Sequence, residues 1–165
     1  MTETHEDFMR EAIAIARGNI AEGGRPFGAV IVRDGQTIAR AANRIHDSHD
    51  PTAHAELLAI REASRVLQSP RLDGCVIYAS GHPCPMCLAA MHLCGVAAVH
   101  YAYSNEDGAP YGLSTAQVYA QMALPPEAQS IAVEQARPSG EDELYAEWAH
   151  AADTLAIPPP LKKGD

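Results

Sequence analysis

The sequence has few basic residues, no long apolar run and no apolar leader. Its 165 residues include 12 Lys and Arg against 21 Asp and Glu, which gives a net charge of −9. Nucleic-acid binders normally carry clustered Lys and Arg, so this deficit argues against a nucleic-acid partner and favours a small-molecule substrate. No apolar segment reaches the roughly 18 residues of a membrane span, and the acidic start lacks the apolar core of a secretory signal. We therefore expect a cytoplasmic protein with no membrane partner.

Cysteine is also scarce, with only Cys75, Cys84, Cys87 and Cys94 in the chain. In the cytoplasm thiols stay reduced, so these side chains are available to bind a metal rather than to form disulfides. Free cysteines commonly pack as small apolar residues, and this is the prediction for Cys75 and Cys94.

Helix and strand patterns alternate along the chain, and no segment resembles a linker between domains. Apolar residues at helical spacing predict helices, and short apolar runs between turn residues predict strands. The predicted helices cover 8–21, 52–67, 84–94, 114–122 and 141–155, and the predicted strands cover 27–32, 37–42, 75–79, 96–103 and, weakly, 131–134. Asp34-Gly35 predicts a hairpin between the first two strands. The sequence thus predicts one α/β domain over residues 1–157, with helices on both faces of a mixed sheet, and a flexible tail over 158–165.

Two short clusters contain metal-binding residue types, and each lies where a helix is predicted to begin. The first holds His54 and Glu56, and the second holds Cys84 and Cys87. Cysteines three positions apart share one face of a helix, and the unpaired N–H groups at a helix start favour thiolate, the form that binds zinc. Residues two apart diverge in mid-helix, so His54 and Glu56 approach one metal only if they lie in the opening turn.

Together the clusters predict a catalytic site with Zn²⁺ as the cofactor. His54, Cys84 and Cys87 supply three ligands and leave one tetrahedral position for water, which is typical of catalytic rather than structural zinc. Glu56 is then the candidate for moving protons. The combination of His54-x-Glu56 with Pro83-Cys84-x-x-Cys87 is the pattern of zinc deaminases, in which the Glu is not a ligand.

Other interpretations of these residues stay open. Cys84-x-x-Cys87 alone is also the pattern of a redox pair or of half a structural zinc site. A zinc-stabilised interaction module without enzymatic activity would need a fourth protein ligand, for which His82 is the nearest candidate.

The motifs resemble the cytidine deaminase-like superfamily, and within it the bacterial guanine deaminases. The similarity runs from about Phe8 to Ala152, and its strongest stretches are 26–32, 50–56 and 83–87. The resemblance implies a three-layer α/β/α sandwich with a five-stranded mixed sheet. It also implies a homodimer whose subunits exchange their C-terminal segments, around residues 143–148.

The resemblance further implies roles for single residues. Phe27 would stack on the base, Asn43 would hydrogen-bond the edge of the ring, and the Ala55 backbone N–H would face the base. A second acid that assists proton transfer would be Glu106 or Asp107. The implied reaction is hydrolysis of guanine to xanthine and ammonia. A tRNA adenosine deaminase, or a deaminase of pyrimidines, nucleosides or triazines, is the alternative.

Overall fold

A computed structural model describes residues 3–155, so the predicted tail over 158–165 lies outside the described residues. The chain divides into two compact units, residues 1–123 and 124–165, and each is described by itself. A single domain over residues 1–157 stays a prediction. Across residues 3–155, no helix combines the length and the apolar character needed to cross a membrane.

The first unit contains most of the regular structure, and its elements follow the predicted alternation. Its helices are α1 (His5–Ala21), α2 (Ile45–Ser48), α3 (Ala55–Leu67), α4 (Pro85–Cys94), α5 (Asn105–Gly108) and α6 (Ala116–Met122), with a 3₁₀ turn at Ala109–Tyr111. Its strands are β1 (Gly28–Arg33), β2 (Gln36–Ala42), β3 (Cys75–Gly81) and β4 (Ala98–Tyr103). The second unit contains a 3₁₀ turn at Pro126–Ala128 and the helix α7 (Leu144–Leu155).

The strands form one mixed sheet in the order β2-β1-β3-β4. Strand β1 is antiparallel to both β2 and β3, whereas β3 and β4 are parallel. The prediction of a five-stranded sheet is wrong: residues 3–155 form four strands. The segment 131–134, predicted as a weak strand, is irregular. Its two apolar residues, Ile131 and Val133, are 74% and 62% exposed, so no burial stabilises an extended strand there.

Both faces of this sheet are covered by helices, as predicted. Alternate residues of β1 and β3 face opposite sides, and Ile31 and Ile77 pack with buried residues of α3 and α4. On the other side, Val30 and Tyr78 pack against Phe8 of α1. The layers are therefore helix, sheet and helix, and the central strands β1 and β3 are buried between two apolar clusters.

Local turn chemistry sets several element boundaries. The hairpin between β1 and β2 turns at Asp34 and Gly35, which have φ values of 51° and 73°, as the Asp-Gly pair predicts. Helix α3 begins at Ala55 rather than at the predicted Thr52. The Asp50 carboxylate accepts hydrogen bonds from the backbone N–H and hydroxyl of Thr52, which fixes a turn ahead of the helix.

The contact between α1 and β1 depends on the missing side chain of Gly28. A Cβ at this position would lie 2.4 Å from Ala12 O and 2.8 Å from Ala16 N, both backbone atoms of α1. We expect Gly28→Ala to lower the free energy of unfolding by about 1–3 kcal/mol, because the helix must move away from the sheet. Gly18→Ala is the control: a Cβ there meets nothing within 4 Å and should raise stability by up to about 1 kcal/mol. Urea titrations of the two variants check the prediction, and equal stabilities would contradict it.

Candidate metal centre and active site

The metal-binding residues lie at the starts of α3 and α4. His54 is the N-cap of α3 and Cys84 is the N-cap of α4, and both have extended backbone conformations. Glu56 is the second residue of α3, so it shares the opening turn with His54, as the sequence requires. Cys87 lies in the first turn of α4, where its backbone N–H donates to the Cys84 sulfur at 3.5 Å.

The three candidate ligands form one compact cluster. His54 Nδ1 lies 3.3 Å from Cys84 Sγ and 3.7 Å from Cys87 Sγ, and all three ligand atoms lie within 4.8 Å of one another. Tetrahedral zinc with ordinary Zn–S and Zn–N bond lengths places a nitrogen and a sulfur ligand about 3.5 Å apart. The separations and the donor types both fit zinc.

Among the described residues, no fourth side chain joins this cluster. His82 in particular is absent from it: its Nδ1 lies 3.0 Å from Pro83 O, and its ring packs edge-on against Tyr101 and Tyr119. Three protein ligands leave one position of a tetrahedral zinc free for water or substrate. The arrangement is that of a catalytic rather than a structural zinc site.

The electrostatic environment favours the thiolate form at Cys84 and the protonated form at Cys87 and His54. A hydrogen bond with Cys87, assisted by one with His54, lowers the pKa of Cys84 to about 4. The same contact with Cys84 raises the pKa of Cys87, and burial adds to the effect. The hydrogen bond with Cys84 also raises the pKa of His54. Zinc binding requires both sulfurs as thiolates, and the charge of a bound cation favours loss of the second proton.

Glu56 is the buried acid of the site. Glu56 is 5% exposed, and burial raises the pKa of its carboxyl group. The side chain lines a cavity of about 400 Å³, which His54 and Cys84 also line. A proton-carrying group and a metal-binding group therefore face the same space.

The wall of this cavity contains part of the predicted substrate-binding set. Phe27 and Asn43 line it, whereas Ala55, which is fully buried, does not. The Asn43 Oδ1 accepts the Ile45 N–H at 3.1 Å. Because a backbone N–H is always a donor, this bond assigns the amide oxygen and leaves the NH₂ group as a separate donor.

The two candidates for a second acid occupy different places in α5. Asp107 lines the cavity, but its carboxylate accepts the Ser104 backbone N–H at 2.8 Å and the Ser104 hydroxyl at 3.1 Å, which caps the helix. Glu106 is exposed and is not part of the cavity wall.

Several residues that shape the site carried no signal in the sequence. Gly81 lets the Phe27 ring lie close to the end of β3, since a Cβ there would be 2.9 Å from Phe27 Cε1. Ser80, 2% exposed, accepts the Gly28 N–H at 3.0 Å and donates to Pro26 O at 3.3 Å, which holds the segment before β1. The Tyr119 hydroxyl donates to Pro83 O beside the metal-binding turn. All of these contacts join residues distant in sequence, so local patterns could not reveal them.

The ligand assignment predicts which cysteines matter for metal binding. Cys84→Ala and His54→Ala should reduce bound zinc from about one ion per chain to a small fraction, since two remaining ligands bind zinc weakly. Cys94→Ala is the matched control, because Cys94 is equally buried but lies outside the cluster. Metal analysis after gel filtration checks the result. Full zinc content in the Cys84 or His54 variant would contradict the assignment.

Comparison with known proteins identifies the family. Residues 2–103 match the cytidine and deoxycytidylate deaminase zinc-binding region. The chain is 44% identical to guanine deaminase from Bacillus subtilis over 128 residues, which cover 77% of this chain and 82% of the relative. It is 43% identical to the tRNA-specific adenosine deaminase of Aquifex aeolicus over 88 residues, which cover 53% and 58% of the two chains.

The fold comparison agrees with the sequence comparison. The crystal structure of guanine deaminase from Bacillus subtilis superposes with a TM-score of 0.85 at 37% identity and covers 96% of this chain and 100% of that one. The family is zinc-binding, and the His54, Cys84 and Cys87 side chains are positioned to hold the metal. This chain therefore belongs to the cytidine and deoxycytidylate deaminase zinc-binding family.

Proposed function

We propose that the protein is a zinc-dependent hydrolytic deaminase that converts guanine to xanthine and ammonia. The observation that carries the proposal is the meeting of a His54, Cys84 and Cys87 cluster with the buried carboxyl group of Glu56 at one cavity. The water oxygen bonds to the amino-bearing ring carbon, the C–N bond breaks, and the amino group leaves as ammonia. A zinc ion in the cluster supplies a Lewis acid that makes water a better nucleophile near neutral pH.

Glu56 is the group that moves protons in this scheme. It accepts a proton from the attacking water and delivers it to the adjacent ring nitrogen. It then transfers the remaining proton, from the oxygen now bonded to the ring carbon, to the departing amine, and a carbonyl group forms as ammonia leaves. Its position in the first turn of α3, one residue beyond the start of the helix, keeps the carboxyl group next to the metal ligands without making it a ligand. Burial excludes competing water from the carboxyl group.

Substrate recognition is assigned to two residues that line the cavity and to a backbone N–H between the cavity-lining residues His54 and Glu56. Phe27 provides an apolar ring on which a planar base stacks. The free NH₂ group of Asn43 donates to an acceptor on the edge of the base, a carbonyl oxygen or an unprotonated ring nitrogen. Ala55 contributes its backbone N–H, which lies in the first turn of α3 and so has no partner within the helix.

Guanine is favoured over the alternatives by two observations. The similarity to a guanine deaminase covers most of both chains, whereas the similarity to the tRNA-specific enzyme covers little more than half of each. The net charge of −9 also disfavours a polyanionic substrate such as tRNA. Free cysteines throughout the chain are compatible with the cytoplasm as the place of action.

We also propose a homodimer whose subunits exchange their C-terminal segments. The proposal is supported by the likeness to guanine deaminases and by the exposure of large apolar side chains in the second unit. Leu144, Tyr145 and Trp148 are 66%, 86% and 43% exposed in a single copy and lie within five residues of one another on α7; large apolar side chains exposed close together are typical of an interaction surface. Sedimentation velocity of the full chain measures the subunit number.

The role of Glu56 predicts a separation of metal binding from turnover. Glu56→Gln should keep its zinc but lower kcat for ammonia release from guanine by at least about 10²-fold, because the amide cannot accept and return a proton. Glu62→Gln on the same helix is the control, since Glu62 pairs with Arg65 at the surface. Ammonia release and metal content are measured on the same preparations. Near-normal turnover by the Glu56 variant would remove this residue from the mechanism.

A panel of amino-heterocycles tests the substrate assignment. Guanine should give the highest kcat/KM for ammonia release, ahead of adenine, cytosine and an aminotriazine. A heterocycle that cannot accept the hydrogen bond from Asn43 should lose about several kcal/mol of transition-state binding relative to guanine. Stacking on Phe27 should favour planar rings of similar size. A gel-shift titration with tRNA at physiological salt should show no complex. Preference for another heterocycle, or deamination of tRNA, would overturn the assignment.

A further inference from the structure

Asn19 is a buried polar residue that the proposed reaction does not use. It lies in the last turn of α1, is 3% exposed and is not part of the cavity wall. Its Nδ2 donates two hydrogen bonds, to Arg25 O at 2.7 Å and to Asn43 O at 2.9 Å. Burying a polar group costs free energy unless it is hydrogen-bonded, and these two bonds offset that cost for the Asn19 NH₂ group.

The two carbonyl groups belong to the segments that carry the proposed base contacts. Arg25 O also accepts the Phe27 N–H at 2.8 Å, and Asn43 N donates to Phe27 O at 3.0 Å. The next residue, Arg44, donates its N–H to Ala53 O at 2.9 Å, immediately before His54. A chain of hydrogen bonds thus connects Asn19 with Phe27 and Asn43. It continues from Arg44 to Ala53, the residue before the metal ligand His54.

The loop between α1 and β1 packs closely against the Asn19 side chain. Gly24 donates its N–H to Asn19 O at 2.8 Å. A Cβ at Gly24 would lie 2.5 Å from Asn19 Nδ2, so the absence of a side chain lets the loop reach its position. The Oδ1 atom of Asn19 accepts no hydrogen bond from the described residues, so the NH₂ group makes both of the contacts that tie the loops together.

We propose that Asn19 is a positioning residue, which holds Phe27 and Asn43 in the arrangement that binds the base without touching the base itself. The inference rests on the proposed function, since it assigns the base contacts to those two residues. Asn is suited to the task because one nitrogen supplies two donors, whereas Asp supplies none when ionised and Leu, of similar size, is apolar.

The central experiment compares Asn19→Leu with the wild-type protein. The variant should raise KM for guanine about tenfold, because two hydrogen bonds that order the binding loops are lost. It should leave kcat within about threefold, since the metal ligands and Glu56 stay in place. Zinc content should not change. A folded variant with an unchanged KM would overturn the proposal, and so would a variant that loses its zinc.

Two further variants separate positioning from general stability. Phe8→Leu is the matched control. Phe8 lies on the same helix and is 4% exposed, but it packs against Tyr78 in the apolar cluster between α1 and the sheet. It should lower Tm while leaving KM unchanged. Asn19→Ser keeps a hydroxyl group that can donate one hydrogen bond, so it disturbs the buried carbonyl groups less than an apolar Leu. It tests the same effect if Asn19→Leu does not fold. A rise in KM for Phe8→Leu that equals the rise for the Asn19 variants would overturn the positioning role.

A double-mutant cycle asks whether Asn19 acts through Asn43. In an Asn43→Ala background, Asn19→Leu should raise KM much less than it does alone, because the contact that it positions is already lost. Fully additive effects would contradict the proposed route.

Amide hydrogen exchange gives a readout that needs no substrate. Asn19→Leu should speed exchange at the Phe27, Asn43 and Arg44 amides and leave β3 protected, because only the loops lose an anchor. If the wild-type protein does not deaminate guanine, the proposed function fails while this measurement still tests Asn19. Unchanged exchange at the three amides would overturn the positioning role whatever the substrate.

Discussion

The site depends on one constraint: the first turns of α3 and α4 must meet at the same edge of the sheet. Helix starts expose N–H groups that no residue within the helix can satisfy, and the Cys84 sulfur accepts one of them from Cys87. The same geometry brings His54 Nδ1 within 3.3 Å of Cys84 Sγ. If either helix began one residue later, a ligand would rotate away from the metal by about a hundred degrees, the angular step of an α-helix.

Strand register brings the groups proposed to bind the base to that edge. Gly28 at the start of β1 pairs with Ala42 at the end of β2, and Ala29 pairs with Ala79 near the end of β3. Phe27 and Asn43, which flank these pairs, are therefore neighbours although 16 positions separate them. Strand β3 pairs antiparallel with β1 and parallel with β4. The end of β3 therefore lies beside the start of β1 and the end of β4. Ligand sites of α/β proteins commonly lie at the carboxyl ends of strands.

Burial then gives the polar groups their fixed geometry. Asn43 is 1% exposed and Glu56 is 5% exposed, and both residues line the cavity. Asn19, which is not part of the cavity wall, and Ser80, which is, hold the backbone next to Asn43 and Phe27. Preorganised donors of this kind lose little entropy when the substrate binds. Buried polar residues thus form part of the cavity wall and do not only fill the core.

The sequence by itself determined the features that depend on neighbouring residues. The spacing of Cys84 and Cys87, the opening-turn placement of His54 and Glu56 and the Asp34-Gly35 hairpin are all local, and the structure contains each of them. Only the tertiary structure decided the number of strands, because an apolar alternation such as 131–134 forms a strand only if a partner and a buried face exist for it. It also decided that Asn19 holds the backbone of Asn43, 24 positions away, and that Ser80 holds the segment before β1. Such contacts join residues that folding, not spacing, brings together.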